Sequence, residues 1–129
     1  MYISSSDFDE MVDRAYKKIP LYFRERMENV VIRIEELPPK HLTTKTTTLL
    51  GLFEGIPSTK VSVSSQGVMP SKITLYEKTI LESAISLSDL EKLILEVLMH
   101  EIAHYFGYND EEMLHMDAKL RKKLGRVEV

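Results

Sequence analysis

The sequence predicts an α+β fold in which a small mixed sheet of three or four strands packs on one long helix. A strongly helical run covers residues 89–106, and an alternating apolar segment, Val30–Ile34, precedes a pair of prolines. Two further helical patterns stand before that strand. At 129 residues with 43% hydrophobic content, the chain is long enough for one domain, which we expect to span residues 1–129.

The first two elements are expected to be helices. Ser6 can cap the first, because a serine hydroxyl accepts a hydrogen bond from a free N–H of the first turn. Pro20 interrupts the apolar pattern and opens a short second helix that extends to about Glu28. The inward face of the first helix keeps the i, i+3/i+4, i+7 spacing through Phe8, Met11, Val12, Ala15, Tyr16 and Ile19.

The central third of the chain reads as strands. Val30–Ile34 alternates its side chains between two faces, which predicts one buried face. Residues 40–48 are rich in threonine and are expected to form a loop. Leu49–Ile56 is a short apolar strand interrupted by two glycines.

The next segment, residues 57–72, is rich in Ser, Gly and Pro, with at most a short strand around Val61 and Val63. Ile73–Ile80 then reads as a further strand, because its side chains alternate between two faces. These segments together predict a sheet of three or four strands.

The longest helical pattern begins at a predicted capping box, Ser88 with Glu91 three residues later, and runs to about Phe106. Its apolar stripe consists of Leu90, Leu93, Ile94, Val97, Leu98 and Ile102. Gly107 ends it with an expected positive φ angle that reverses the chain.

The end of this helix carries the motif H-E-x-x-H-x-x-G-x-x-D, from His100 to Asp110. Histidines at i and i+4 lie on one helix face, so His100 and His104 can direct ring nitrogens at one metal ion. Glu101 falls at the centre of the apolar stripe, where an unpaired carboxylate is costly. A water held by that metal would give the carboxylate a partner, as expected for a general base.

Catalytic zinc takes three protein ligands, and the absence of cysteine leaves histidine and carboxylate to supply them. Asp110 is the preferred third ligand, because the turn at Gly107 brings the following residues back towards the metal. Asp110 would also suit the N-cap of a last helix, a role that Asn109 could take instead. Glu111 and then His115 are the alternative third ligands.

These residues resemble the minimal zincin-like metallopeptidases, small bacterial proteins once grouped as a domain of unknown function. The resemblance rests on the motif from His100 to Asp110, on Leu50–Pro57 and on Ile73–Tyr76. It implies a reduced protease core with an active-site helix, a sheet whose edge strand lies above the cleft, and a C-terminal helix. Metzincins have a histidine where this chain has Asp110, so the chain does not resemble them.

The motif predicts a zinc-dependent peptidase with His100, His104 and Asp110 as ligands and Glu101 as the base. We expect a peptide or protein substrate, which could pair along the Ile73–Ile80 strand by β-augmentation. Tyr76 and Tyr105 are candidates to stabilise the oxyanion, although packing is the commoner role of buried tyrosines. The alternative is a zinc-stabilised binding or regulatory module with little turnover, and in a chain of this size a protein partner could complete a shallow cleft.

The formal charge is −3 and acidic and basic residues are interspersed, so we expect no basic surface that would bind nucleic acid or an anionic membrane. No apolar stretch is long enough to cross a bilayer and no secretion signal is visible, so we expect a cytoplasmic protein. A last helix is expected over residues 110–124, and its terminal basic cluster suits the C-terminal end of a helix: Lys119, Arg121, Lys122, Lys123 and Arg126.

Overall fold

The computed structural model describes residues 2–42, 49–55 and 70–108. It has the predicted α+β architecture. The predicted short strand around Val61 and Val63 and the predicted last helix, residues 110–124, lie outside the described residues. In chain order the elements are α1 (Ser5–Lys18), α2 (Leu21–Arg24), β1 (Val30–Glu35), a 3-10 turn (Lys40–Leu42), β2 (Gly51–Glu54), β3 (Ser71–Tyr76), α3 (Glu77–Ser83) and α4 (Leu87–Tyr105).

The sheet is mixed, as predicted, with the strand order β1-β3-β2. β1 runs parallel to β3 and pairs Ile32 with Ile73, whereas β2 runs antiparallel to β3 and pairs Phe53 with Ile73. β3 is therefore the central strand, bonded on both sides. The expectation that a peptide adds to this strand by β-augmentation is wrong, because its backbone groups are already used by β1 and β2.

β3 is also shorter than the predicted strand over Ile73–Ile80. It ends at Tyr76, and α3 begins at Glu77. The Thr79 hydroxyl donates a hydrogen bond to the Tyr76 carbonyl at 3.3 Å, which closes the first turn of this helix. The next buried hydrophobic residue, Ile80, follows Tyr76 by four positions, so the apolar spacing has changed from that of a strand to that of a helix.

α1 is capped by Ser4 rather than by Ser6. The Asp7 N–H donates to Ser4 Oγ at 3.1 Å, whereas Ser6 lies inside the helix. The predicted inward face is confirmed, with Phe8, Met11, Val12 and Ala15 buried.

α2 covers only Leu21–Arg24 and is shorter than predicted. The N–H groups of Arg26 and Met27 donate to the carbonyls of Phe23 and Arg24, three residues back, so the chain tightens into 3-10-like turns before β1. β1 alternates between half-buried and exposed side chains, as predicted from its sequence.

α4 begins two residues earlier than the predicted capping box. Its cap is Ser86, whose Oγ accepts a hydrogen bond from the Asp89 N–H at 3.1 Å, and Asp89 Oδ2 accepts one from the Ile85 N–H at 3.0 Å. Ser88 lies inside the first turn, so the predicted box of Ser88 and Glu91 is wrong. The predicted apolar stripe of α4 is buried throughout.

The core lies between α1, α4 and one face of the sheet. Its largest fully buried side chains are Phe8, Ile19, Ile73, Leu75, Ile80, Leu90, Ile94, Leu98 and Ile102. Among the helices of the described ranges, none is both long and apolar enough to cross a membrane.

Candidate active site

Both histidines of the motif lie on the last two turns of α4, on one face of the helix. The ring centroids of His100 and His104 are 5.2 Å apart, and their planes are inclined by 74°. Both side chains are half-buried. The two imidazole rings therefore lie next to each other, as predicted from their i, i+4 spacing.

Glu101 is buried, with 7% of its surface exposed. Gly51 of β2 lies beside it, close enough that a β-carbon added to this glycine would be 3.2 Å from Glu101 Cγ and 2.8 Å from Val97 Cγ1. The inward placement predicted from the helical angle is confirmed. A carboxylate is therefore held under β2, between the two histidines in sequence.

Phe53, two residues after Gly51, contacts the end of the same helix. Its ring is stacked against His104 with a centroid distance of 6.4 Å and an interplanar angle of 13°. It also meets the ring of Tyr105 edge-on at 6.2 Å. Gly51 and Phe53 carry no sequence motif that would identify them as site residues. Their positions, i and i+2 on one strand, show that they share a face, but the sequence does not show that this face covers α4.

α4 ends in the turn that was predicted at Gly107, which has a φ angle of 82°. The Gly107 N–H donates to the His104 carbonyl at 3.0 Å, and the Tyr108 N–H donates to the Ala103 carbonyl at 3.2 Å. These two bonds form a Schellman motif, which satisfies carbonyls at the end of the helix and turns the chain away from its axis.

The predicted third ligand, Asp110, lies outside the described residues, as do Asn109, Glu111 and His115. Within residues 2–42, 49–55 and 70–108, no group of three His, Cys, Asp or Glu side chains is arranged to hold a metal ion. The two imidazoles are nonetheless a donor pair of the type that zinc takes, on one face and one helical turn apart. The described donors fit two of the three ligand positions.

Two tyrosines near the site are buried in the fold. Burial raises the pKa of Tyr76, and the charges of Glu54, Glu35 and Glu101 raise it further. Burial also raises the pKa of Tyr105, with a smaller effect from Glu28. Both phenols are therefore neutral near pH 7. Tyr105 packs within the hydrophobic core, which agrees with the packing role.

Comparison with known proteins places these observations in a family. Residues 27–120 match the family described as zincin-like metallopeptidase. A solved structure of a conserved hypothetical protein from Thermo thermophilus is similar, with a TM-score of 0.54 and 25% identity over 79% of this chain and 92% of that chain. No curated protein matches the chain. The family match spans most of the chain and includes the H-E-x-x-H helix, so the chain belongs to the zincin-like metallopeptidases.

Proposed function

We propose that this protein is a zinc-dependent peptidase that hydrolyses peptide bonds. The observation that carries the proposal is Glu101, a carboxylate that is 7% exposed and lies between two histidines of one helix face. Zinc binding through the histidines alone does not need a buried carboxylate at that position. A general base needs a carboxylate within reach of the water that it deprotonates, and Glu101 is next to the first of the two histidines.

His100 and His104 would hold the zinc ion together with Asp110. The histidine pair is supported by ring positions one helical turn apart, and Asp110 by the turn at Gly107 that precedes it. Zinc, when bound, polarises a carbonyl and lowers the pKa of a coordinated water towards ~7.

Glu101 would accept the proton of the attacking water and return it to the leaving amine. Its burial under β2 limits its contact with bulk water and would strengthen its interaction with a bound zinc ion. The same carboxylate thus serves as base and then as acid.

We further propose that the peptide substrate lies along β2 rather than along β3. β2 carries Gly51 beside Glu101 and Phe53 beside His104, so an extended chain next to this strand would pass over both groups. In the part of the chain that the structure describes, β2 is paired with β3 on one side only. In pairing of this kind, main-chain hydrogen bonds give the affinity for the peptide.

The test is zinc analysis of the purified full chain combined with cleavage of a diverse peptide library. We expect about one zinc ion per chain, cleavage that stops when a chelator removes the metal, and recovery when zinc is restored. A chain that holds zinc but cleaves no peptide in the library would contradict the proposal and would favour the zinc-stabilised binding module.

A further inference from the structure

We infer that β2 positions two side chains of α4, the proposed base and one proposed zinc ligand. Gly51 determines the position of Glu101, and Phe53 determines the orientation of the His104 ring. The inference rests on the proposed function, because it assigns supporting roles for the base and for a metal ligand. Neither residue would touch the reacting atoms. Both are positioning residues.

Gly51 and Phe53 lie on one face of β2, beside residues three positions apart on α4. Gly51 pairs with Leu75 and Phe53 with Ile73, and both partners are fully buried, so the two β2 residues face the core side of the sheet. Two residues of a strand span about 6.6 Å, and three residues of a helix rise about 4.5 Å. One face of β2 can therefore contact Glu101 and His104 at the same time.

Gly51 permits this contact because it has no side chain. An added β-carbon would lie 2.8 Å from Val97 Cγ1, which is closer than van der Waals contact allows, and 3.2 Å from Glu101 Cγ. Val97 cannot easily rotate away, since a β-branched residue in a helix has one strongly preferred rotamer. The φ angle of Gly51 is not positive, so an alanine here is opposed by lack of space alone. The side chains of Val97 and Glu101 would have to shift away from this position of β2.

Phe53 orients the imidazole ring of His104. The torsion that turns an imidazole about its bond to Cβ is broad, so rotamer preference alone does not fix the ring plane of His104. Phe53 is nearly parallel to that ring, at 13° and 6.4 Å, and is itself held by Tyr105. Loss of a hydrogen-bonding partner that orients a histidine ligand typically changes metal affinity by about 10-fold to 100-fold, and we expect loss of the stacked ring to have an effect at the lower end of this range.

The two variants Gly51→Ala and Phe53→Leu should therefore have different effects. Gly51→Ala should lower kcat about tenfold or more and leave zinc affinity within about twofold, because it displaces the base and not the ligands. Phe53→Leu should weaken zinc affinity by about tenfold, while kcat at saturating zinc changes less. Phe23→Leu is the matched control, since it removes another half-buried ring, one that contacts Phe106 at 5.3 Å and neither histidine.

Zinc affinity is measured on the full chain by competition with a chelator, without peptide, and kcat is measured at saturating zinc. A second readout for Gly51 is a double-mutant cycle on the melting temperature. Glu101→Ala removes Cγ, so it should reduce part of the Tm loss caused by Gly51→Ala, whereas the part due to the closer contact with Val97 Cγ1 should remain. This cycle and the chelator titration still test the roles of Gly51 and Phe53 if the wild type cleaves no peptide. That outcome would refute the proposed function and leave the positioning roles to be tested. The inference is overturned if Phe53→Leu leaves zinc affinity no weaker than Phe23→Leu does, or if the cycle shows no coupling.

Discussion

The imidazole rings of His100 and His104 stand 5.2 Å apart on consecutive turns of α4, with their planes inclined by 74°. The helix beneath them is anchored by Leu98 and Ile102, which are 0% and 1% exposed. The histidines are thus presented by a rigid, packed element. A metal site on such an element requires little reorganisation on binding.

The first prediction concerns these two histidines. Either His100→Ala or His104→Ala should reduce zinc from about one ion per chain to a small fraction, because each removes one of the three proposed ligands. His41→Ala is the control, since His41 is exposed on the short turn after β1 and should leave zinc unchanged. Elemental analysis of the purified variants measures their zinc content. Full zinc content in His100→Ala or His104→Ala would contradict the proposed zinc site.

The second prediction concerns the third ligand. Asp110→Ala should weaken zinc affinity much more than Asn109→Ala, because zinc takes carboxylate ligands and the Schellman turn at Gly107 redirects the chain just before Asp110. Chelator competition measures both affinities. If Glu111→Ala is the damaging change and Asp110→Ala is harmless, the ligand is one residue further along.

A third prediction tests the turn itself. Gly107 has a φ angle of 82°, in the left-handed region that costs an L-residue about 1 kcal/mol or more. Gly107→Ala should lower the free energy of unfolding by about that amount in urea titrations, and Gly107→Asn by less, because asparagine tolerates this region better. Equal losses for the two variants would show that strain at this φ angle is not the cause.

The fourth prediction is a pH dependence. Burial, followed by the charges of Glu54, Glu35 and Glu101, raises the pKa of Tyr76 above its ordinary value of 10.0. The unfolded tyrosine ionises first, so this contribution to stability is complete below about pH 10 and is lost as the pH rises through the folded pKa.

Tyr76→Phe should therefore show a smaller fall in the free energy of unfolding between about pH 8 and pH 11 than the wild type. Tyr22→Phe is the control, because Tyr22 is 59% exposed. Urea titrations across this range supply the measurement. Superimposable pH profiles for Tyr76→Phe and the wild type would contradict the account of Tyr76.

Buried faces could be predicted most accurately from the sequence where a periodic apolar pattern was long. The stripe of α4 and the alternation of β1 each repeat several times, so the buried face could be assigned without knowledge of its neighbours. The caps were misplaced by two residues in α1 and α4, because serine-rich stretches offer several equivalent hydroxyls and only the path of the backbone selects one.

Tertiary contacts account for the other differences. β3 is the central strand and has buried residues on both faces, and the pattern of a single strand does not distinguish a central strand from an edge strand. The roles of Gly51 and Phe53 depend on which strand crosses α4. His100, Glu101 and His104 could be placed together in advance only because one helix carries all three.

The most direct test of the proposed peptidase function is the variant Glu101→Gln, which preserves the shape of the side chain and removes the base. We predict unchanged zinc content, equal or greater stability because a buried carboxylate is lost, and no peptide hydrolysis. The matched control, Glu91→Gln, makes the same chemical change at a half-exposed position of α4 paired with Arg14 and should retain activity. Full hydrolysis by Glu101→Gln, measured on a peptide that the wild type cleaves, would contradict the general-base role of Glu101.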